Sequence, residues 1–260
     1  MKQTCLSILL LMLLAALGAE GLSPADFSRR VQDEVNAVRA RRDLPPLIWL
    51  DELAGLASRH SDNMAAKDFF DHRDPDGMQV SQRQKKYCPQ LLLAGIGENL
   101  FFIENSRKIF DPKEIALGWM NSPGHRENLL STEFTHAGTG VVLQDDKLYT
   151  TMVFGIPVAR LVSPLPPRLR VGESYLIDLE YLAREPRDGF NCLLTTPDPN
   201  TKVKIDLITY SMGSMPLELV WKDDGRLSLK LEFKYGAGTY TLQTGWGEYF
   251  YPEMMEFRAE

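Results

Sequence analysis

Phe27, Val31, Val35 and Val38 recur at steps of four and three, the spacing that lines one face of an α-helix. Ser23 and Pro24 precede them as N-cap and first helical residue. Pro45 and Pro46 end that helix, because a proline has no N–H to give and its ring clashes with the preceding turn. A second helix is predicted from about Asp51, with Leu53, Ala54, Ala57, His60, Met64 and Ala65 on its apolar face. "DHRDPDG", residues 71–77, is a turn rich in Asp, Pro and Gly. Asp111, Pro112 and Glu114 supply a cap, a first-turn proline and a capping-box acid for a helix carrying Ile115, Leu117 and Trp119. Ser122 and Pro123 repeat the start signal, so "GHRENLL" is predicted to open another helix. "GTGVVLQ" and "KLYTTMVFG" flank Asp145 and Asp146 and read as a β-hairpin.

The pattern changes beyond about residue 155. "RLSLKLEF" alternates strictly, with Leu227, Leu229, Leu231 and Phe233 on one side and Arg226, Ser228, Lys230 and Glu232 on the other. "SYLIDLEYL", "KVKIDLI", "PLELVW" and "GTYTLQT" add further short strands, and "KDDGR" and "KYGAG" supply turns. Such spacing predicts an all-β, immunoglobulin-like sandwich over residues 168–260. The intervening stretch, residues 158–167, contains Pro164, Pro166 and Pro167 and is expected to be a semi-rigid linker. The helical half before it, residues 24–157, is expected to be a domain of its own, so the fold class is α+β.

Residues 1–19 fall outside this scheme. Lys2, the apolar run Leu6–Leu17 and the small residues Ala16, Gly18 and Ala19 form the pattern of a secretory signal peptide. The run is too short for the ~20 residues that cross a bilayer. No later stretch reaches that length, so no transmembrane segment is expected in the mature chain and the expected location is secreted or periplasmic. The whole chain of 260 residues is 44% hydrophobic and 25% charged, with a net charge of −6. A mildly acidic chain offers no field for nucleic acid or anionic lipid. Without the leader, Cys88 and Cys192 remain; an oxidising compartment would allow a disulfide between them, and two buried, inert thiols are the alternative.

Candidate chemistry centres on a few residues. The histidines are His60, His72, His125 and His136, and no pair has the H-E-x-x-H spacing of a metalloprotease helix. Neither C-x-x-C nor G-x-S-x-G occurs, and no kinase motif accompanies the "HRD" at residues 72–74. His60 reads as a hydrogen-bonded core residue. His72 follows Phe69 and Phe70 at a helix-to-turn boundary, where it either lines a cleft or caps the turn. Glu98, between a Gly-x-Gly break and "LFF", is costly to bury unless something pairs with it. His125 sits in the first turn of a helix, whose positive dipole end favours a neutral ring able to bind metal or accept a proton; otherwise it is a surface residue beside Arg126.

The blocks "ASRHSDNMAAKDFFDHRDPDG", "GENL", "ALGWMNSPGHRENLL", "THAGTGVV" and "YTTMVFG" stand in the order found in the CAP superfamily. Residues 27–155 resemble its bacterial, SCP-like extracellular branch; the superfamily also contains cysteine-rich secretory proteins, pathogenesis-related proteins and venom antigens. The resemblance implies an α–β–α sandwich, secretion, and a cleft lined by two histidines and two acids. His72 matches the first cleft histidine and Glu98 the acid of the Gly-Glu-Asn block, which also contains Asn99. Ser122 stands where eukaryotic members keep the second acid, and Leu148 where they keep the second histidine. The bacterial branch tends to carry the "GHR" histidine instead, here His125. Trp119, Ser122, Pro123 and Asn99 are then structural residues around the cleft.

Three functions follow from this resemblance. The first is binding of a small amphiphile, a peptide or a surface polymer through His72, Glu98 and His125, with His72 and His125 as ligands of a divalent ion such as zinc. The second is a metal-dependent hydrolase in which Glu98 is the general base. The third is a structural or adhesive role at the cell envelope with a vestigial cleft. A reaction is less expected than binding.

Overall fold

The computed structural model describes residues 22–206 and 208–260. The leader expected over residues 1–19 lies outside them. The chain divides into two compact units: residues up to Tyr87 together with Ile96–Gly155, and Cys88–Gly95 together with Ile156–Glu260.

The first unit contains helices α1 (Pro24–Ala40), α2 (Asp51–Lys67), α3 (Val80–Tyr87), α4 (Pro112–Asn121) and α5 (Pro123–Leu130). Its strands are β1 (Ile48–Trp49), β3 (His136–Gln144), and the parts of β2 (Leu91–Glu104) and β4 (Lys147–Leu161) that fall in this unit. The caps read from the sequence form: Ser23 Oγ accepts from the Asp26 N–H at 3.1 Å, and an Asp111 carboxylate oxygen from the Lys113 N–H at 2.9 Å. The hairpin forms as well, with β3 and β4 antiparallel from His136↔Gly155 to Gln144↔Lys147. β1 lies parallel to β3, and β2 pairs with β4.

Alternation along β3 sends its two faces to different helices. Ala137 and Val141 join Phe27, Val31 and Val35 of α1 and Ile115 and Trp119 of α4 in one core. Gly138 and Gly140 face α2, so close that an added Cβ would stand 2.0 Å from the Ala54 nitrogen and 2.1 Å from the Ser58 nitrogen. Only glycine lets a helix backbone approach a strand this nearly. Helices thus cover both faces of the strands in this unit, the α–β–α layering that the resemblance implied.

Three local features differ from or add to the sequence reading. Gly95 and Gly97 do not break the chain but lie within β2. Of the apolar residues that α4 carries, Ile115 and Trp119 are buried but Leu117 is exposed. The helix α3 was not anticipated: "VSQRQKKY" has no apolar stripe, and it is held by the burial of Arg83.

The second unit is strand-rich. It contains β5 (Ser174–Tyr181), β6 (Phe190–Thr195), β7 (Lys202–Lys204), β8 (Tyr210–Met212), β9 (Ser214–Pro216), β10 (Leu219–Trp221), β11 (Arg226–Glu232), β12 (Gly238–Trp246) and β13 (Tyr249–Ala259). Residues 159–161 of β4 pair with β5, followed by β11 and β10; a separate sheet runs β13–β12–β6–β9. Leu227, Leu229, Leu231 and Phe233 are fully buried in the core of this unit, as their alternation required. The expected linker does not begin at residue 158. Val158 and Ala159 are buried core residues of β4, and strand pairing continues to Leu161. Cys88 and Cys192 both belong to this unit rather than to opposite halves. Both are buried and no disulfide joins them; burial pushes the Cys192 thiol up to about 12.

Candidate functional site

Glu98 is placed by strand alternation. Phe101 and Ile103 pack against the core of α1 and α4, while Leu100 joins Met64 and Ala65 of α2, so the even positions of β2 face α2. The Glu98 side chain is 3% exposed. A carboxylate so deep needs compensating charge and hydrogen bonds, and it receives both. His72 Nδ1 lies 2.9 Å from Oε1, and the Arg83 guanidinium donates to Oε2.

Arg83 is also 3% exposed. Its Nη1 donates at 2.8 Å to the His72 carbonyl and at 2.8 Å to the Met78 carbonyl, closing the turn that carries His72. Asp74 braces the same turn by accepting from the Asp76 and Met78 N–H groups at 3.1 and 2.8 Å. No spacing rule marks Arg83 in the sequence. The available signal was the requirement that a buried Glu98 find a cation.

The His72 side chain is 52% exposed and lies at the mouth of the site. Its pKa is raised, chiefly by the hydrogen bond to Glu98, against the opposing effect of burial. The His125 ring centroid is 6.4 Å from that of His72, so the two imidazoles are neighbours. The pKa of His125 is lowered, first by burial and then by the nearby His72. The neutral ring expected from the helix terminus is thus favoured by desolvation as well.

Asn99, fully buried on the opposite face of β2, anchors α5. Its Nδ2 donates to the His125 carbonyl at 2.9 Å, and its Oδ1 accepts from Asn128 Nδ2 at 2.9 Å. Trp119 Nε1 donates to the Leu100 carbonyl at 2.8 Å, tying α4 to the same strand. Ser122 ends α4 and precedes Pro123 at the start of α5, but its side chain makes no cap hydrogen bond. Leu148 is buried in the core, so that position contributes nothing to the cleft. His60 is buried, 3.0 Å through Nε2 from the Asp71 carbonyl and edge-on to Phe69, outside the His72–His125 pair. Burial lowers its pKa. With Nε2–H donating to that carbonyl, its Nδ1 is a buried acceptor with no partner among the described residues.

Exposed aromatic side chains stand near the polar groups in sequence. Phe70, two residues before His72, is 49% exposed, and Phe102, four residues after Glu98, is 37% exposed. Their ring centroids are 5.8 Å apart, and Phe102 packs 4.9 Å from Tyr149. A separate cavity of about 520 Å³ is lined by Arg83, Arg59, Asp62 and Tyr87 among others, but not by His72, Glu98 or His125.

The donor set is poor for a divalent metal. His72 and His125 offer two nitrogens, whereas both Glu98 oxygens are engaged and one of them faces a guanidinium. Among the described residues no group of three or more His, Cys, Asp or Glu is placed to hold a metal ion. A zinc site supplied by protein needs three ligands when catalytic and four when structural, so these residues do not make one.

Residues 32–155 match the family described as CAP: Cysteine-rich secretory protein family. The uncharacterized protein YkwD of Bacillus subtilis is 32% identical over 133 residues, covering 51% of this chain and 49% of that protein. The uncharacterized membrane protein YlbC of the same organism is 30% identical over 122 residues, 47% of this chain and 32% of its own length. The chain therefore spans half or less of the curated relatives it matches. Among solved structures, an extracellular protein containing a SCP domain from Bacillus anthracis is 29% identical. The match covers 53% of this chain and 45% of that one, with a TM-score of 0.41.

Proposed function

We propose that this protein, whose residues 32–155 match the CAP, cysteine-rich secretory protein, family, is exported and binds a small amphiphile or apolar peptide through the His72–Glu98–His125 cleft. One observation carries the reading. A half-exposed imidazole is held by a buried carboxylate, with a second imidazole 6.4 Å away and an exposed Phe70–Phe102 pair adjoining in sequence. Sites that bind such ligands combine a few fixed polar groups with apolar walls. The imidazoles would meet the polar group of the ligand, and the aromatic pair its apolar part.

Two further readings are less well supported. For a hydrolase, Glu98 would have to take a proton from water, yet both of its oxygens are already engaged by His72 and Arg83. The second unit is read as an immunoglobulin-like β-sandwich serving surface contact, from its two strand sets and their shared core. Among the described residues no helix is long and apolar enough to cross a membrane; export rests on the leader pattern of residues 1–19.

The test is calorimetric titration of the purified protein with a long-chain fatty acid, a lysophospholipid and an apolar hexapeptide, repeated with His72→Ala and Phe102→Ser. Binding of one probe, weakened tenfold or more by each substitution, supports the reading. Failure of all three probes to bind, or equal affinity in both variants, refutes it.

A further inference from the structure

We infer that Arg83 is the positioning residue of the cleft: it is the standing counter-charge of buried Glu98 and the clamp on the His72 main chain, leaving the His72 ring to present its second nitrogen outward. Only the last clause rests on the cleft reading above.

The argument starts from Glu98. A carboxylate with a 3% exposed side chain cannot remain ionised without a cation beside it. Among the described residues two side chains lie within hydrogen-bond reach, one on each oxygen: His72 Nδ1 and Arg83 Nη2. A guanidinium is charged at every pH the protein meets, whereas an imidazole is not. With Arg83 in place, His72 can donate Nδ1–H as a neutral ring and keep a lone pair on Nε2. Without Arg83, His72 would itself become the counter-charge, and both of its nitrogens would be donors. The charged groups that act on His72 divide accordingly: Glu98 on β2 and the neighbouring Asp71 favour the imidazolium, and Arg83 on α3 opposes it. His125 on α5 is the neighbouring imidazole.

The same guanidinium holds the backbone. Its Nη1 reaches the carbonyls of both His72 and Met78 while Nη2 reaches Glu98. One planar fork thus ties the two ends of the His72 turn to the acid that orients the His72 ring. A lysine ammonium brings the charge but cannot span three acceptors in this arrangement.

The experiment reads the imidazole nitrogens of His72 by ¹H–¹⁵N correlation in the full chain at pH 8 with a chelator present. Wild type, Arg83→Met and Arg83→Lys are compared, with circular dichroism to confirm folding. The expected wild-type signature is one protonated nitrogen, Nδ1. Arg83→Met shifts the ring toward the doubly protonated form, and Arg83→Lys brings it back toward wild type. A folded Arg83→Met with the wild-type signature overturns the inference, as does a lysine variant indistinguishable from the methionine one. Should Arg83→Met fail to fold, Arg83→Met with Glu98→Gln removes both charges. That ring must then titrate lower than in wild type; an unchanged midpoint overturns the inference. No ligand is used, so failure of the amphiphile probes leaves this result separately readable.

Discussion

Glu98→Gln isolates the charge of the buried acid while keeping its size. The substitution leaves Arg83, 3% exposed, without a counter-ion, while its hydrogen bonds to the His72 and Met78 carbonyls can persist. Removing one partner of a buried ion pair costs about 3–5 kcal/mol, because the charge left behind stays desolvated. Glutamine retains an acceptor for one guanidinium N–H, so the lower end, about 3 kcal/mol, is expected. Thermal unfolding followed by circular dichroism should then show a midpoint lowered by about 6–12 °C for a protein of this size. His72 adds a pH signature. Its folded pKa is raised, so its contribution is complete below the unfolded value near 6.5 and disappears as pH rises through the folded value. The gap between wild type and Glu98→Gln should therefore narrow as pH rises past that window, leaving the Arg83 part. Replacing both partners, as in Glu98→Leu with Arg83→Met, should cost less than the single change, since no charge remains buried. A Glu98→Gln variant as stable as wild type, or a double variant worse than the single one, would refute the reasoning.

Gly140→Ala should prevent or severely destabilise folding of the first unit, because the new Cβ would stand 2.1 Å from the Ser58 nitrogen; a stable, soluble Gly140→Ala protein contradicts that packing. Asn99→Ala removes both the bond to the His125 carbonyl and the one from Asn128, and should cost about 1–3 kcal/mol in urea unfolding together with broadened His125 resonances. His60 is held neutral by burial, so its folded pKa lies below 6.5 and stability is lost as pH falls through that lower value; His60→Gln should flatten this acid limb, and an unchanged limb counts against it. Cys192, with its thiol pushed up to about 12, should resist iodoacetamide at pH 8 in the native protein and react on unfolding, as read by mass spectrometry.

Much of the local structure was legible in the sequence because its causes are local. Ser23 before Pro24 and Asp111 before Pro112 cap helices through hydrogen bonds that reach only two or three residues along the chain. Leu227, Leu229, Leu231 and Phe233 share a face because successive strand residues point to opposite sides. His72, Glu98 and His125 could be named from ordered blocks of sequence, and Asn99 with them.

Other features were decided only in three dimensions. Pro-rich composition after residue 155 suggested a linker, yet Val158 and Ala159 are claimed by a core formed with residues far along the chain. Cys88 appeared to belong to the helical half, but residues 88–95 pack with the second unit. Gly95 and Gly97 looked like a break, and strand pairing with β4 overrides their flexibility. Arg83 lies in a polar octapeptide with no hydrophobic period, so no pattern could single it out from Lys85 or Lys86. Burial next to Glu98 distinguishes it, and burial belongs to the assembled fold rather than to the residue. The sequence by itself determined which segments turn, coil and alternate, and which blocks carry candidate polar groups. Tertiary structure decided which cation neutralises which buried acid, since the free energy of a charge is set by the atoms that replace its water.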